Sequence, residues 1–300
     1  MTALERVARP TEGRDLLVAS LVFLGSVFLL AMTATQGFVR DEGYYFRAAQ
    51  DYHGWFEGLW RNLGAGQPWL SFQDATLTRS FGYNTEHPGF AKIAMGWTWK
   101  IFHHWQGLVP HATGYRLASM IMVAAGNAAT YLLGTRLASR GVGILGVVLL
   151  MACPRVFYHA HLACFDGPIM AMTVIVVYAF RRSLNSRPWI AGVAVVMGIA
   201  VATKHNAVFV LPTLGLVWVL ANLDAFRLDQ DRRLRLPILP LAFLTMVVAA
   251  PIVFYIFYPY GWHDPIGRIG SYYQYHLHHE HYPVDFFGTL YSEPPFPWSF

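Results

Sequence analysis

Long apolar runs separated by short basic turns are the feature that most limits how this chain can fold. The runs lie at 16–33, 113–133, 142–158, 168–180, 189–203, 207–221 and 237–258. A helix that crosses a bilayer needs about 20 apolar residues, so the ends of the shorter runs are approximate. Only 13% of the residues are charged, about half of the ~25% found in soluble domains. A soluble fold of this length could not bury so much apolar surface, and the pattern therefore predicts an all-α integral membrane protein.

The positions of the arginines predict which helix ends face the cytoplasm. They concentrate before the first run and after the second, fourth and sixth runs, as Arg6, Arg9, Arg14, Arg136, Arg140, Arg181, Arg182, Arg187, Arg227, Arg232, Arg233 and Arg235. Because cytoplasmic loops are enriched in Lys and Arg, this distribution predicts seven spans with the N-terminus inside. The first run is longer than the apolar region of a signal peptide, so we expect an uncleaved helix. The net charge of +5 is then explained by cytoplasmic arginines, and we expect no nucleic-acid partner.

Residues 88–105 are apolar too, but they carry Lys92, Lys100, His103 and His104. If this segment crossed the membrane, the later basic turns would face outward. We therefore expect an amphipathic helix that lies in the membrane interface. The loops 34–87 and 259–300 then lie on the outer face, and all thirteen histidines fall on that side or at outer helix ends.

The whole chain, 1–300, is predicted to be a single polytopic membrane domain. It ends without a helix that closes the outer segment 259–300. Two explanations stay open, namely a fragment of a longer enzyme or an architecture that the sequence does not reveal.

Three acidic motifs are candidates for chemistry. Asp41 and Glu42 follow the first span, where carboxylates beside a membrane are unfavourable unless they are hydrated or paired. Glu86 opens the interfacial helix, and Asp166 is expected to be the N-cap of the helix at 168–180. Each has a simpler explanation, as a solvated loop acid or as a helix N-terminal residue favoured by the helix dipole.

Two cations are expected on the face that holds these acids. Arg116 begins one span, and Lys204 interrupts two apolar runs. Both side chains could simply reach the membrane interface from a helix end. Two cations near the acids could also bind an anionic group, most plausibly a phosphate.

A histidine cluster raises the question of a metal. His263 and Asp264 precede a cluster that consists of His276, His278, His279, Glu280 and His281. The imidazoles of this cluster, together with the Glu280 carboxylate, could bind Zn²⁺ or Cu²⁺. The spacing differs from HExxH, and a hydrated interfacial segment is favoured over a metal site. Two cysteines, Cys153 and Cys164, exclude a disulfide framework. The sequence contains no P-loop, GxGxxG or GxSxG element, so nucleotide chemistry and serine hydrolysis lack support.

Taken together, these segments resemble the GT-C glycosyltransferases of family 39, which include the dolichyl-phosphate-mannose–protein mannosyltransferases and the bacterial aminoarabinose transferases of lipid A. The motifs that carry the resemblance are Asp41-Glu42-x-x-Tyr45, Glu86-His87-Pro88, Tyr115-Arg116-Leu117, Asp166-Gly-Pro168 and Thr203-Lys204. Each motif is short, and their order and common side make the set specific. Gly89 departs from the pattern, because the family usually has a second proline there, and complete members are longer than this chain.

The resemblance implies a multi-span GT-C-type helical bundle whose outer-face loop carries interfacial helices. It implies an enzyme of the plasma or inner membrane that moves a sugar from a polyprenyl-phosphate carrier to an acceptor protein, lipid or glycan at the outer face. Direct displacement at the anomeric carbon would invert its configuration, and no nucleotide would be bound.

The same resemblance implies roles for individual residues. Asp41 would be the catalytic base, with Glu42 or Glu86 assisting, and Arg116 and Lys204 would stabilise the leaving phosphate. The remaining implied contacts are to the substrate, from Tyr45, His87 and Asp166, and to a possible divalent metal, from Glu86 with His263. No other cofactor is expected.

Two alternatives from other classes stay open. A transporter, for example of metal ions, would use the outer-face histidines and acids, although Arg116, Asp166 and Lys204 lie at helix ends and not deep within spans. A non-catalytic partner would retain the fold and bind a polyprenyl-phosphate sugar without turnover. The sequence specifies neither the sugar nor the acceptor, because specificity depends on pocket shape.

Overall fold

Helices make up most of the computed structural model, which describes residues 12–223, 227–228, 234–235, 237–278, 283–286 and 288–292. The α-helices are α1 Gly13–Met32, α2 Arg40–Gly64, α3 Asp74–Phe81, α4 Phe90–Thr98, α5 His111–Leu137, α6 Arg140–Ala152, α7 Pro154–Ala160, α8 Asp166–Ser183, α9 Arg187–Thr203, α10 Val210–Ala221, α11 Leu241–Ile256 and α12 Pro265–Leu277. Short 3-10 helices cover Pro68–Phe72, His205–Phe209 and Pro259–Gly261, and α4 continues as a π-helix over Trp99–Trp105. The prediction of a helical protein is confirmed.

Two short antiparallel hairpins accompany the helices. Strand β1, Arg227–Leu228, pairs with β2, Leu234–Arg235, with Arg227 opposite Arg235. Strand β3, Val284–Phe286, pairs with β4, Thr289–Tyr291, with Val284 opposite Tyr291.

The chain divides into two compact units, Met1–Tyr260 and Gly261–Phe300. The second unit contains α12 and the β3–β4 hairpin. Asp264 begins α12 as its N-cap, because its Oδ1 accepts a hydrogen bond from the Gly267 amide at 2.9 Å. Of the predicted histidine cluster, His278 is exposed, while His279, Glu280, His281 and the side chain of His276 lie outside the described residues.

The predicted apolar runs all lie on helices, although these helices differ in length. In the described part of the chain, α1 and α5 are long and apolar enough to cross a bilayer. The helices α9 and α11 and the segment His205–Ala221 are apolar but shorter. Seven crossings therefore stay a prediction.

One predicted span is not a continuous helix. The run 142–158 is divided between α6 and α7, whose axes differ in direction by 80°. Pro154 begins α7, and proline cannot continue an α-helix because it lacks an N–H donor and its ring collides with the preceding turn. The two helices together can form one bent span, so a crossing over 142–158 stays a prediction.

The predicted outer loop 34–87 consists largely of α2, a 3-10 helix and α3. Helix α2 buries Tyr45, Ala49, Tyr52 and Trp55 on one face, at the spacing expected of an amphipathic helix. That face packs on α4 and α3.

The segment predicted as an interfacial helix begins at Phe90, two residues later than expected. Lys92, one of the charges that suggested this helix, is fully buried. Helix α4 therefore contacts the protein interior through a residue that composition alone would place in water.

Three apolar clusters hold the first unit together. The largest joins α8, α9, α10 and α11 and includes Val176, Phe180, Val193, Met197 and Met246. A second joins α1 to α5 and α8. The third joins α2, α4, α5 and the segment 162–165, and the predicted site residues lie around it.

Candidate functional site

The candidate site stands on the apolar cluster shared by α2, α4, α5 and the segment 162–165. Met95 and Tyr115 are fully buried in this cluster, and Phe165 and Tyr45 are nearly so. The backbone positions of α2 and α4 are therefore fixed relative to α5. The polar side chains at the edge of the cluster are attached to these fixed backbones and are therefore held in position.

Glu42 and Arg116 form a buried ion pair beneath the site. The Arg116 Nε and Nη2 atoms donate hydrogen bonds to Glu42 Oε1 and Oε2 at 2.7 and 2.6 Å. Arg116 also donates to the carbonyl oxygens of Gln36 and Gly37, both at 2.8 Å. The Glu42 carboxylate accepts further bonds from the backbone amides of Val39 and Ala163. Both side chains are almost inaccessible to water, and the pair joins α2, α5 and the segment 162–165.

Asp41 faces away from this pair. It precedes Glu42 on α2, and successive helix residues point about 100° apart. Whereas Glu42 is buried, Asp41 is exposed, and among the described residues no side chain or amide donates a hydrogen bond to its carboxylate. Two adjacent acids that look equivalent in the sequence therefore have different environments, and only Asp41 is accessible to a substrate.

A tight turn, 84–87, presents Glu86 and His87. Asn84 has a positive φ of 56°, a left-handed conformation that asparagine tolerates better than most residues. Its side-chain amide donates a hydrogen bond to Glu86 Oε1. This hydrogen bond within the turn stabilises its shape and holds the Glu86 carboxylate on the side of the site.

Lys92 holds this turn from below. Its Nζ donates to the carbonyl oxygens of Asn84 and His87 at 2.6 and 2.9 Å. The ammonium also lies 4.9 Å from the centre of the Tyr52 ring, in a cation–π contact. Burial lowers the pKa of Lys92 to about 7, against the opposing effect of the Glu86 charge. A fully buried lysine is rare in proteins, and this one joins α4 to the Glu86-His87 motif.

Three rings form an aromatic wall beside the acids. The centroids of Tyr45 and Phe165 are 4.4 Å apart, those of His87 and Phe165 4.7 Å, and those of Tyr45 and His87 5.7 Å. Burial raises the pKa of the Tyr45 phenol, and the nearby charges of Asp41, Glu86 and Asp166 raise it further. The charges of three carboxylates from three separate motifs therefore act on the Tyr45 phenol.

Asp166 and Lys204 form an ion pair at the edge of this wall. Lys204 Nζ donates to Asp166 Oδ1 at 2.9 Å, and His159 Nδ1 lies 3.6 Å from Asp166 Oδ2. Burial favours the neutral form of Asp166, but the hydrogen bond and charge of Lys204 outweigh it and lower the pKa. Both side chains remain partly exposed, and a cavity of ≈ 330 Å³ opens beside Asp166 and His159.

Asp166 differs in one respect from the prediction. It is the first residue of α8, while Phe165 holds the N-cap position without a side-chain hydrogen bond to the helix. The expectation that Asp166 caps α8 was wrong by one residue, because its carboxylate binds Lys204 and not the helix amides.

The structure brings six predicted site residues around the aromatic wall, namely Asp41, Tyr45, Glu86, His87, Asp166 and Lys204. It places Glu42 and Arg116 in the layer below. His263 belongs to the second compact unit, so the metal pair Glu86 with His263 stays a prediction. Among the described residues, no three His, Cys, Asp or Glu side chains form a group that could hold a metal ion.

Several residues of the site were not predicted from the sequence. Lys92, Asn84 and Phe165 carry no motif, and only their contacts in the fold reveal them. His159 was noted only as one of many histidines. Its neighbour His161 is fully buried, where its Nδ1–H donates to the Phe157 carbonyl oxygen at 2.7 Å.

Gly89 has a structural reason for departing from the family pattern. A Cβ atom at this position would lie 2.5 Å from the carbonyl oxygen of Phe257. The backbones of the two segments are thus too close for any side chain, proline included. The absence of the second proline reflects this contact, while Glu86, His87 and Pro88 are retained.

Comparison with known proteins gives one match. The family model described as dolichyl-phosphate-mannose-protein mannosyltransferase matches residues 86–255, more than half of the chain. The match includes Glu86, His87, Arg116, Asp166 and Lys204. The motif at Asp41 lies outside it. Neither the curated proteins nor the solved structures include a significant match.

Proposed function

Because the chain belongs to the dolichyl-phosphate-mannose-protein mannosyltransferase family and is a membrane glycosyltransferase, we propose that it transfers a sugar from a polyprenyl phosphate to an acceptor at the outer membrane face, with inversion at the anomeric carbon. The observation that carries the residue assignments is the contact of Tyr45, on the helix that bears Asp41, with His87 and Phe165, the chain neighbours of Glu86 and Asp166. These acids come from three motifs that are far apart in the sequence. The acceptor is a protein, a lipid or another glycan.

Asp41 is the general base of the proposed reaction. An acceptor hydroxyl loses its proton as its oxygen attacks the anomeric carbon, and a positioned carboxylate accepts that proton. Asp41 is suited to this role because its carboxylate is exposed and has no hydrogen-bond donor among the described residues. Glu86, held by Asn84, lies on the same side and orients the acceptor.

Lys204 stabilises the leaving group. As the glycosidic bond breaks, negative charge develops on the lipid phosphate, and a fixed cation lowers the energy of that state. Lys204 is partly exposed and is held in place by Asp166, so its ammonium can contact both the carboxylate and a phosphate. Arg116 was predicted to share this role. Its bonds to Glu42, Gln36 and Gly37 support a positioning role instead, in which it fixes the start of α2 and hence Asp41.

The proposed orientation places α2 to α4 on the outer face. It rests on the arginine-rich turns, because these would lie in the cytoplasm. Reporter fusions after Trp105 and Arg182 should give outside and inside signals, respectively. A cytoplasmic signal at Trp105 would contradict both the interfacial helix and the outer-face site.

The alternative of a metal-ion transporter is not supported. The family match is to a glycosyltransferase. A non-catalytic partner would differ in one measurable respect, because it would bind the lipid-linked sugar without turnover.

The test is the Asp41→Asn variant, assayed in membranes with a polyprenyl-phosphate sugar as donor. The amide is similar in size but cannot accept the proton, so we expect the rate to fall by at least about 100-fold, the lower end of general-base contributions. The unfolding temperature should not change, because Asp41 is exposed. Glu57→Gln is the matched control, since Glu57 lies on the same helix in a partly exposed pair with Lys100.

If the Asp41→Asn rate stays within about threefold of wild type, Asp41 does not make the ~100-fold contribution expected of a general base. A similar loss in Glu57→Gln would show instead that the rate responds to any change on α2. Either outcome would contradict the assignment.

A further inference from the structure

A polar cavity lies at a distance from the aromatic wall, on another face of α2. It has a volume of ≈ 620 Å³ and lies between the C-terminal half of α2, the 3-10 helix Pro68–Phe72 and α3. Its size is within the range of ligand-binding pockets, about 300–1,000 Å³. None of the predicted site residues contributes to its wall. The cavity therefore needs a separate explanation.

The walls of this cavity are held by buried hydrogen bonds and ring contacts. The Trp55 indole N–H donates to the Ser71 carbonyl oxygen at 2.8 Å, and the Asn62 side-chain amide donates to Ser71 Oγ at 2.8 Å. The Trp55 ring contacts Phe72 and Phe81 edge to face. The cavity is thus part of the folded structure and does not depend on a mobile side chain.

The floor of the cavity is a bare stretch of helix. Gly54 and Gly58 lie one turn apart on α2, and both line the cavity. A Cβ at Gly54 would meet no atom within 4 Å, and one at Gly58 would meet only the end of the Arg61 side chain at 3.9 Å. A ligand can therefore approach the helix backbone closely, and a larger residue at Gly54 would fill the space without a clash at its Cβ.

The charge of the cavity is positive. Arg61 and Arg79 line it, and among the described residues neither forms a direct ion pair, although the charge of Arg61 acts on Glu57 one turn before it on α2. Asp51 is the one carboxylate in the wall. Burial raises its pKa, and the nearby charge of Arg47 partly offsets this effect. Two arginines that face one partly balanced acid favour an anionic ligand, and guanidinium groups match the geometry of phosphate.

Exposed aromatic residues adjoin the cavity. Trp60 precedes Arg61 on α2, and Trp69 and Phe72 lie on the 3-10 helix that supplies Leu70 and Ser71 to the wall. The two tryptophans are 68% and 60% exposed. Tryptophans with this exposure are typical of the membrane–water interface, where the ring lies at the depth of the lipid headgroups. The cavity would then open at the level of the lipid phosphates.

We propose that this cavity binds the phosphate of an anionic membrane glycerophospholipid, one whose headgroup carries a net negative charge, with Arg61 and Arg79 as its cationic contacts and the headgroup between α2 and α3. The ligand is a lipid and not a soluble anion, because the exposed aromatic residues anchor the same surface in the headgroup layer. The site is separate from the one that uses Asp41. A failure of the glycosyltransferase proposal would therefore leave it unaffected.

The test compares lipid binding by purified full-length chains in a neutral detergent, measured by native mass spectrometry with phosphatidylglycerol and phosphatidylcholine of the same acyl chains. We expect wild type to retain phosphatidylglycerol at least about tenfold better, since the choline cation of phosphatidylcholine neutralises its phosphate and is repelled by the two arginines. The Arg61→Gln, Arg79→Gln double variant should lose this preference. Gly54→Leu should reduce retention too, because it fills the cavity without changing the charge. Arg187→Gln, at an exposed arginine on α9, is the control for the loss of a positive charge outside the cavity.

Each alternative result overturns the proposal. Equal retention of the two lipids would show that no anionic headgroup site exists. An equal loss in Arg187→Gln would show an effect of net charge alone, and unchanged retention in Gly54→Leu would place the lipid elsewhere. Displacement of phosphatidylglycerol by millimolar inorganic phosphate would identify a site for a soluble anion. Variants that unfold are identified by their tryptophan fluorescence, and Arg61→Lys with Arg79→Lys then serves as the milder change.

Discussion

The buried pair of Glu42 and Arg116 predicts that Arg116 stabilises the fold, whereas its motif implied that Arg116 stabilises the leaving phosphate. If Arg116 is a positioning residue, then Arg116→Met should destabilise the fold, because Glu42 would be left as a charge without its counter-ion in a site closed to water. Removing one partner of a buried ion pair costs about 3–5 kcal/mol. The four hydrogen bonds of Arg116, all between 2.6 and 2.8 Å, favour a value in this range.

This free energy can be converted into a shift of the unfolding temperature. Globular chains unfold with an entropy of about 2.1 cal/mol/K per residue. For 300 residues, a loss of about 3–5 kcal/mol therefore corresponds to a decrease of about 5–8 °C. The assay is thermal unfolding in detergent micelles, followed by the fluorescence of the ten tryptophans. Arg187→Met is the control, because Arg187 is exposed and surface changes usually shift stability by less than about 0.5 kcal/mol.

A second variant separates the lost charge partner from the lost packing. Adding Glu42→Gln to Arg116→Met removes the stranded charge, so the double variant should be more stable than Arg116→Met alone. A double variant that is less stable than both single variants would refute the reasoning. An unchanged unfolding temperature together with a raised KM for the lipid-linked sugar would also refute it, because Arg116 would then contact the substrate directly.

Two further predictions follow from Lys92 and Gly89. Because the pKa of Lys92 falls to about 7 in the folded chain from 10.5 when exposed, the unfolded chain binds more protons between these values. Wild type should therefore gain stability as the pH rises from 7 towards 10.5 and lose it as the pH falls, relative to Lys92→Met. Denaturant titrations at pH 7 and 9 measure this difference, and parallel curves for the two proteins would contradict it. Gly89→Pro should lower the unfolding temperature although it restores the usual family residue, because the Phe257 carbonyl oxygen occupies the required space. Gly25→Ala, where a Cβ meets nothing within 4 Å, is its control.

The sequence predicted the elements of the fold better than the contacts between them. Apolar runs located the helices because hydropathy over about 20 residues is a local property. Helix α2 was not located within the loop 34–87, although its Tyr45, Ala49, Tyr52 and Trp55 already show the helical period. That pattern could have identified it.

The site residues were predicted with uneven success, because their burial and pairing depend on contacts between residues that are far apart in the sequence. The motifs named the residues near Tyr45 and made Asp41 the base, but they expected Glu42 to assist and did not reveal its burial, because the rotation of α2 decides which acid is buried. The partner of Glu42 lies 74 residues away in the sequence, and no local pattern reports such a pairing. Lys92 was taken as a surface charge for the same reason, since its burial depends on the turn 84–87.

The bend between α6 and α7 links the direction of an apolar segment to the position of the His159 imidazole. If the chain continued straight beyond Ala152, the seven residues to His159 would extend about 10 Å along the axis of α6. With the 80° change of direction, His159 instead lies beside Asp166, and its carbonyl oxygen would be only 2.9 Å from a Cβ at Gly167. A substitution at Pro154 that straightened the helix would thus lengthen an apolar segment and remove an imidazole from the edge of the site. The direction of this stretch of chain and the position of an imidazole at the edge of the site cannot be varied independently in this protein.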